Sequence, residues 1–335
     1  MTSAALLPTP GDPFLLRHWL RNCELVWREE VDELRVLVGG QSDPAARAYI
    51  RHRVEALGGV YAERETGGLV PHGVALNILI SDTDADVVVL LEDDVRVRSS
   101  GAIVRHVRGI DQGLYDVAAS PRGSMTPGLA AAAVARWPRG RLEDGSEGHG
   151  MWPAFVFARR SDLLATDRDY GERSWGPGMH VPGLGYLVEG GPEVADTFGG
   201  TAFQLRDRLR VHDIPQWKCP WLTDAWLSGQ NEKMSWFHVG SLSSSNNLGG
   251  FEPPVFQDGR TLTDPQEIGE WAHRLVWWRR CLRLHGHDLP EHAARYEANW
   301  ERLRRRMGVP VERIDAWTGM LERLITWDEH DVDTG

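Results

Sequence analysis

Lysine is almost missing from this chain: Lys218 and Lys233 are the only two, so arginine supplies nearly all the positive charge and most potential phosphate contacts. Acidic residues outnumber basic ones, 48 to 37, for a net charge of −11. That balance argues against binding a nucleic-acid backbone, which needs a basic face, but not against a nucleotide held through a metal ion. Cysteine is scarce as well. Cys23, Cys219 and Cys281 are odd in number and widely spaced, which gives neither a zinc pattern nor a disulfide framework and points to a reducing, cytoplasmic setting. No apolar run approaches the roughly 20 residues that cross a bilayer, and the segment from Met1 to Pro13 has neither the basic nor the apolar region of a signal peptide. No Gly-x-Gly-x-x-Gly follows the first strand-like segment, which argues against a dinucleotide-binding dehydrogenase.

What the chain does have is alternation of strands and helices. Ala4–Leu7 reads as a short strand, followed by the turn-rich Pro8-Thr9-Pro10-Gly11-Asp12-Pro13 and a helix running to about Trp27, with Asp12 as its N-cap and Pro13 in its first turn. Glu33–Val38 is a second strand closed by Gly39-Gly40. Ser42-Asp43-Pro44 opens a helix over Ala45–Leu57, Val60-Tyr61 is a short strand and His72–Ile80 is a helix. Further on, Ile103–Ile110 reads as helix, Val117–Ser120 and Ala154–Ala158 as strands, and Ala130–Ala135 suits either. Tyr170–Gly200 is crowded with glycine, proline and aromatics, and Gly199–Arg206 leaves it as a strand-like run. Ser235–Ser241 reads as a short strand and Ser241–Gly250 as a flexible loop. Such alternation implies an α/β fold with a mainly parallel sheet flanked by helices. From about residue 261 the pattern turns helical, with Trp271, Leu275, Trp278 and Leu282 on one face. The division expected is therefore a domain over 1–260, with halves of about 1–125 and 126–260, and a helical appendage over 261–335 that packs back on the domain or makes a homodimer.

The segment around which the rest is organised is Ala85–Arg98. Five aliphatic residues, Val87–Leu91, stop abruptly at Glu92, Asp93 and Asp94. A short, β-branched, unalternating run is a strand buried on both faces. Ligands of open α/β sheets bind at the carboxyl ends of such central strands. Three adjacent acids there repel one another unless something positive sits among them, and their hard oxygens favour Mg²⁺ or Mn²⁺ over zinc. On a regular strand Asp93 and Asp94 point to opposite faces, so both serve one ion only if the chain turns at that point. The plain alternative is a strand that ends in solvated acids.

In order and pattern, Leu7–Leu248 resembles the GT-A glycosyltransferases, the nucleotide-sugar-dependent enzymes of family-2 type. The resemblance rests on the initial strand, loop and helix with Leu34–Val38; on Val88–Asp94, similar to the family's acidic metal motif in a Glu-Asp-Asp form; on Phe198-Gly199-Gly200-Thr201-Ala202-Phe203 followed by Thr223-Asp224-Ala225-Trp226; and on His238. The later acid stands as Thr-Asp rather than the commoner Glu-Asp, and the initial strand begins almost at the N-terminus.

The resemblance implies a sugar moved from a nucleotide-diphosphate sugar to an acceptor hydroxyl of a small molecule or glycan, with Mn²⁺ or Mg²⁺, and residue roles follow from it. Asp94 and His238 would hold the metal, and Asp93 and Glu92 would reach ribose, metal or ordered water. Asp224 would take the acceptor proton, Gly199 and Gly200 would let the backbone pass beneath the donor sugar, and Thr9, Asp12 and the stretch Gly40–Asp43 (Gly40 and Asp43 above all) would lie near base and ribose. Each has a plainer reading: a hydrogen-bonded histidine within a strand for His238, a helix N-cap for Asp224, a turn for the glycine pair, helix capping for the rest. A retaining transferase, a sugar-phosphate nucleotidyltransferase and a non-catalytic carbohydrate-binding protein built on the fifteen tryptophans are the rival functions. The nucleotidyltransferase normally opens with a Gly-rich basic loop, whereas Pro8–Pro13 carries no basic residue.

Overall fold

The structure is a computed structural model that describes residues 1–11, 13–41, 43–64, 69–97, 99–121, 125–137, 149–187, 192–214 and 236–238, with 294, 297, 298 and 301. The chain forms two compact units, Met1–Gln216 and Trp217–Gly335. Of the second, the described part is the strand Trp236–His238 and a few helical positions. The expected appendage over 261–335 falls almost entirely outside the described residues, as does the Ser241–Gly250 loop.

The first unit runs β1 (Ser3–Thr9), α1 (Pro13–Asn22), a π-turn and a 3-10 turn to Glu30, β2 (Glu33–Val38), α2 (Pro44–Ala56), β3 (Val60–Glu63), α3 (His72–Asp82) and β4 (Val87–Leu91). It continues through β5 (Val95–Val97), α4 (Ala102–Asp111), β6 (Val117–Ala119), α5 (Pro127–Arg136), β7 (Phe155–Arg159) and α6 (Arg160–Leu164). The short strands β8 (Arg173–Trp175), β9 (His180–Val181), β10 (Gly185–Tyr186) and β11 (Glu193–Ala195) follow, then α7 (Gly199–Arg208) and β12 (Val211–Asp213). Seven strands form one sheet in the order β12-β6-β7-β4-β1-β2-β3. All are parallel except β7, which runs against both of its neighbours. This is the mainly parallel, helix-flanked α/β sheet read from the sequence, and its layout is Rossmann-like.

The order of strands follows from which segments are apolar on both sides. All five residues of β4 are at most 1% exposed, so this strand belongs in the middle of the sheet. Ala4, Leu6, Val88 and Leu90 face a core built with Ala75, Leu76, Leu79 and Ile80 of α3 and with Leu163, Ala202 and Leu205. Their neighbours Ala5, Leu7, Val87, Val89 and Leu91 are equally buried on the opposite face. Sealing both faces of a strand removes the period-2 signal, and a continuous aliphatic run is what remains in the sequence.

Two segments differ from expectation. Gly199–Arg206 is helical, not a strand: α7 is buried almost all round, with Phe198, Ala202 and Leu205 in the main core. Phe203 points instead into a satellite core with Leu129, Trp175, Val181 and Ala195. A helix sealed on two sides has no polar face, and its apolar residues at 203 and 205 imitate strand alternation. Ala130–Ala135, readable either way, lies inside α5. Tyr170–Gly200 is organised as two small antiparallel pairs, β8 with β11 and β9 with β10.

A histidine sits deep on the α4 side of the sheet. His106 of α4 is 5% exposed and packs on Phe157 at a ring distance of 4.9 Å, with Phe155 and His212 close by. Its Nδ1 lies 3.2 Å from the Tyr115 hydroxyl. Burial first, then the charges of His212 and Arg105, push its pKa down to about 4, so it stays neutral in the folded protein. In the unfolded chain it protonates near 6.5. The unfolded state therefore binds more protons between those values, and stability is complete above about 6.5 and falls as the pH drops toward 4. Denaturant titrations from pH 7 to pH 4 should show a loss on the order of 3 kcal/mol from this group in wild type, and His106→Leu should remove that part of the slope; an unchanged slope would refute the assignment.

Candidate functional site

In β1, β2 and β3 the chain steps outward to one edge of the sheet, and in β4 it returns to the other side of β1. The switch point thus falls between β1 and β4, and the crevice outside their carboxyl ends is where open α/β sheets bind ligands. Leu6 pairs with Leu90 across these strands, and continuing the register three residues brings Thr9 level with Asp93. The two side chains meet: Thr9 Oγ1 donates to Asp93 Oδ2 at 2.7 Å, both residues being buried.

The acids do not continue the strand. The Val95 amide donates back to the Glu92 carbonyl at 3.1 Å, closing a tight turn with Asp93 and Asp94 at its centre. This meets the condition set by the sequence, since a turn frees the two carboxylates from opposite faces. The exit from the turn is also fixed. Asn22, buried at the end of α1, donates to the Val97 carbonyl at 2.8 Å and accepts from the Val97 amide at 3.0 Å, imitating a strand partner. Asp93 and Asp94 are 3% and 2% exposed, whereas Glu92 is partly exposed with Oε1 lying 3.9 Å from His72 Nδ1.

Two successive carboxylates taken out of water side by side disfavour one another and favour a cation. Their hard, anionic oxygens suit Mg²⁺ or Mn²⁺, so the donor set fits the metal that the sequence implied. Among the described residues no group of three or more His, Cys, Asp or Glu side chains is placed to hold a metal ion. Two carboxylates with a bound ligand's oxygens and waters match the habit of Mg²⁺, which is usually held through one or two carboxylates and substrate phosphates.

The loops over β1 and β2 form the next wall. Gly11 adopts φ +92°, and a Cβ there would lie 2.5 Å from Val38 Cγ1, so glycine is required. The Gly11 amide donates to Thr9 Oγ1 at 3.0 Å, while its carbonyl accepts from Gln41 Nε2 at 2.8 Å. Gln41 Oε1 accepts from the Asp43 amide at 2.9 Å. Asp43 is exposed and its Oδ1 accepts from the Ala45 amide at 3.0 Å, which is the N-cap of α2. Gly40 has φ +150° and lies beneath Leu69, whose Cδ1 is 3.0 Å from the place of a Cβ. Thr9, Gly40 and Asp43 are thus joined in one loop cluster, with the Thr9 hydroxyl engaged by protein partners and Asp43 serving as the helix cap.

Across α3 the site continues to the glycine pair. Gly73 follows His72 and packs directly on the Tyr170–Gly171 backbone; a Cβ on Gly73 would lie 2.3 Å from the Gly171 amide nitrogen. The Tyr170 carbonyl accepts from the Phe198 amide at 2.9 Å, just ahead of Gly199 and Gly200 in the first turn of α7. Both glycines are buried and make room for protein neighbours, Ala195 Cβ at 2.7 Å from the place of a Cβ on Gly199 and Arg173 Cδ at 2.7 Å from that on Gly200. Arg173 in turn binds Asp167 at 2.7 Å and Asp169 at 3.0 Å.

Sequence reasoning named Thr9, Glu92, Asp93 and Asp94, and the structure brings them together. Gln41 fell within the stretch Gly40–Asp43 that sequence reasoning placed near base and ribose; it missed His72, which carries no local signal because its partner Glu92 lies on another loop. Asp224 lies outside the described residues. His238 closes the strand Trp236–His238, and its side chain is outside the described part.

No family model matches the chain, and no curated protein matches it in sequence. Solved structures do match. A glucosyl-3-phosphoglycerate synthase from Mycobacterium tuberculosis, in complex with phosphoglyceric acid, is 21% identical over 49% of this chain and 59% of its own, at a TM-score of 0.35. This chain therefore spans less than two thirds of that enzyme. The same mycobacterial enzyme has been solved with Mn²⁺ and uridine-diphosphate-glucose. A CMP:2-keto-3-deoxy-manno-octonic acid synthetase in complex with CTP is 16% identical over 49% of this chain and 76% of its own, at a TM-score of 0.31. TarS 1–349 from S. aureus is 13% identical over 92% of both chains, at a TM-score of 0.42.

The Gly73 contact generates a sharp expectation. Gly73→Ala forces a methyl into backbone that cannot swing aside, so it should lower unfolding stability by about 1–3 kcal/mol. Val74→Ala, one residue on at a half-exposed position, should stay within about 0.5 kcal/mol. Equal stabilities of the two variants in urea titration would show that α3 does not rest on Gly171.

Proposed function

We propose that this chain is a metal-dependent glycosyltransferase that moves a sugar from a nucleotide-diphosphate sugar to an acceptor hydroxyl with inversion at the anomeric carbon. One observation carries the reading: two buried carboxylates, Asp93 and Asp94, sit in a tight turn at the carboxyl end of the central strand, beside the switch point of the sheet. Neighbouring carboxylates put hard oxygen donors side by side, and their place is where the fold class binds ligands.

In this reading Asp94 is the direct metal ligand and Asp93 the acid beside it, with Glu92 at the partly exposed lip. A divalent ion held there supplies charge neutralisation for the departing diphosphate. The loops at Gly11 and Gly40–Gln41 would receive the base and ribose, and the resemblance assigns His238 as a further metal ligand. Asp224 accepts the proton of the acceptor hydroxyl as that oxygen bonds to the anomeric carbon. The bond from that carbon to the diphosphate oxygen breaks, and the nucleoside diphosphate leaves with the electron pair.

A thermal-shift panel of UDP-, GDP-, dTDP- and ADP-sugars with Mn²⁺ identifies the donor, because a ligand at a hundred times its Kd stabilises the native state by about 2.7 kcal/mol. With that donor, Asp94→Ala should abolish transfer, EDTA should stop the wild type and Mn²⁺ should restore it. Asp224→Asn should lower kcat by roughly 10²–10⁴. Transfer that survives thorough chelation would overturn the metal's role, and a product that keeps the donor's anomeric configuration by NMR coupling constant would overturn inversion.

A further inference from the structure

We infer that Thr9 is a positioning residue: its hydroxyl spans the ends of β1 and β4, fixes the Asp93 carboxylate and ties it to the loops over β1 and β2. The inference rests on the functional reading above, because it assigns Thr9 a task toward the metal and nucleotide, and it moves Thr9 from a ligand contact to a support behind one.

The hydroxyl has one proton, and that proton is donated to Asp93 Oδ2 at 2.7 Å. It also accepts the Gly11 amide at 3.0 Å. Thr9 is 5% exposed, so its hydroxyl is turned into the protein and engaged on both sides. A hydrogen bond to a charged acceptor in buried surroundings is stronger than one between neutral groups and holds the acceptor's rotamer. From Gly11 the chain of hydrogen bonds continues through Gln41 to the Asp43 amide, and through the Asp43 carboxylate to the first turn of α2. Asp93 is thereby linked, bond by bond, to both loops at the switch point. A group that orients a metal-site carboxylate from behind commonly changes metal affinity 10- to 100-fold when it is removed. A purely structural threonine would change the melting temperature and leave metal affinity alone.

The test uses the full chain as wild type, Thr9→Val, which is close in shape but has no hydroxyl, and Thr9→Ser, which restores it. Mn²⁺ affinity is read from the free-ion EPR signal, UDP affinity by calorimetry with and without Mn²⁺, and folding by thermal melt. The expected result is Mn²⁺ binding roughly 10- to 100-fold weaker in Thr9→Val, a smaller enhancement of UDP binding by Mn²⁺ in that variant, and Thr9→Ser within about threefold of wild type. If Thr9→Val does not fold, Thr9→Ala takes its place in the same comparison. A folded variant without the hydroxyl that binds Mn²⁺ as wild type does overturns the inference and leaves the functional reading standing. A Thr9→Ser variant as weak as the one without the hydroxyl also overturns it. A wild type that binds neither Mn²⁺ nor any of UDP, GDP, dTDP and ADP, with or without Mn²⁺, overturns both.

Discussion

The burial of two adjacent carboxylates at the end of β4 is the constraint that the surrounding structure is arranged to meet. Charged groups removed from water lose several kcal/mol of hydration each unless partners replace it. One partner comes from far along the chain: the Thr9 hydroxyl, which binds Asp93, lies 84 residues from it; the strand that leaves the turn is clamped separately, by the Asn22 amide on Val97, 75 residues away. The Thr9–Asp93 bond cannot form until β1 and β4 are paired in register, so this part of the site forms only with the completed sheet. The turn itself is closed locally, by Val95 on Glu92, and both carboxylates then leave from adjacent turn positions instead of opposite faces.

The same logic extends to the far wall. Phe198 has φ +70°, a left-handed conformation rare for a non-glycine residue. It is completely buried in the main core, and its amide is held by the Tyr170 carbonyl, so packing and a hydrogen bond over-determine the strained backbone. Gly73 on Gly171 and Gly200 under Arg173 are further close approaches in the same region. Arg206, buried in α7, donates to the His149 and Gly150 carbonyls at 2.8 and 2.9 Å and to Asp213 at 2.9 Å. This ties the entry to β7 and the edge strand β12 to one helix. Rigidity of this kind suits a site whose groups must be held in place.

What could be read from the sequence follows from the range of the interactions. β2 is Glu33–Val38 in both reading and structure, and β4 stands out because double-faced burial leaves an unbroken aliphatic run. The acids were legible for the same reason, since they end that run abruptly. Their partners were not: Thr9 sits in a turn-rich loop, and only strand register places it against Asp93. α7 misled because it is buried on two sides, so its pattern lacks a polar face. Helix α4 shows the same limit at a cap. Its N-cap is Gly101 with φ +84° and no side-chain acceptor, and the acceptor comes from Glu30, whose carboxylate takes the Ile103 and Val104 amides at 2.9 and 3.0 Å. No local rule could have supplied a cap 73 residues away.

Six of the fifteen tryptophans lie among the described residues, and they bear on the carbohydrate-binding alternative. A module of that kind needs indole faces open to solvent, where sugar rings can stack. Trp19 and Trp27 are instead packed edge to face at 5.2 Å in the core, and Trp175 and Trp236 are also buried. Among the described residues the exposed large hydrophobics include no tryptophan, and only Trp137 and Trp152 are partly exposed. The acids show the reverse economy of placement. Solvated carboxylates would cost the fold nothing, yet Asp93 and Asp94 are nearly sealed from water beside the switch point in the strand order. A sugar-stacking platform gives no reason for that burial, whereas a site proposed for a cation and a diphosphate does.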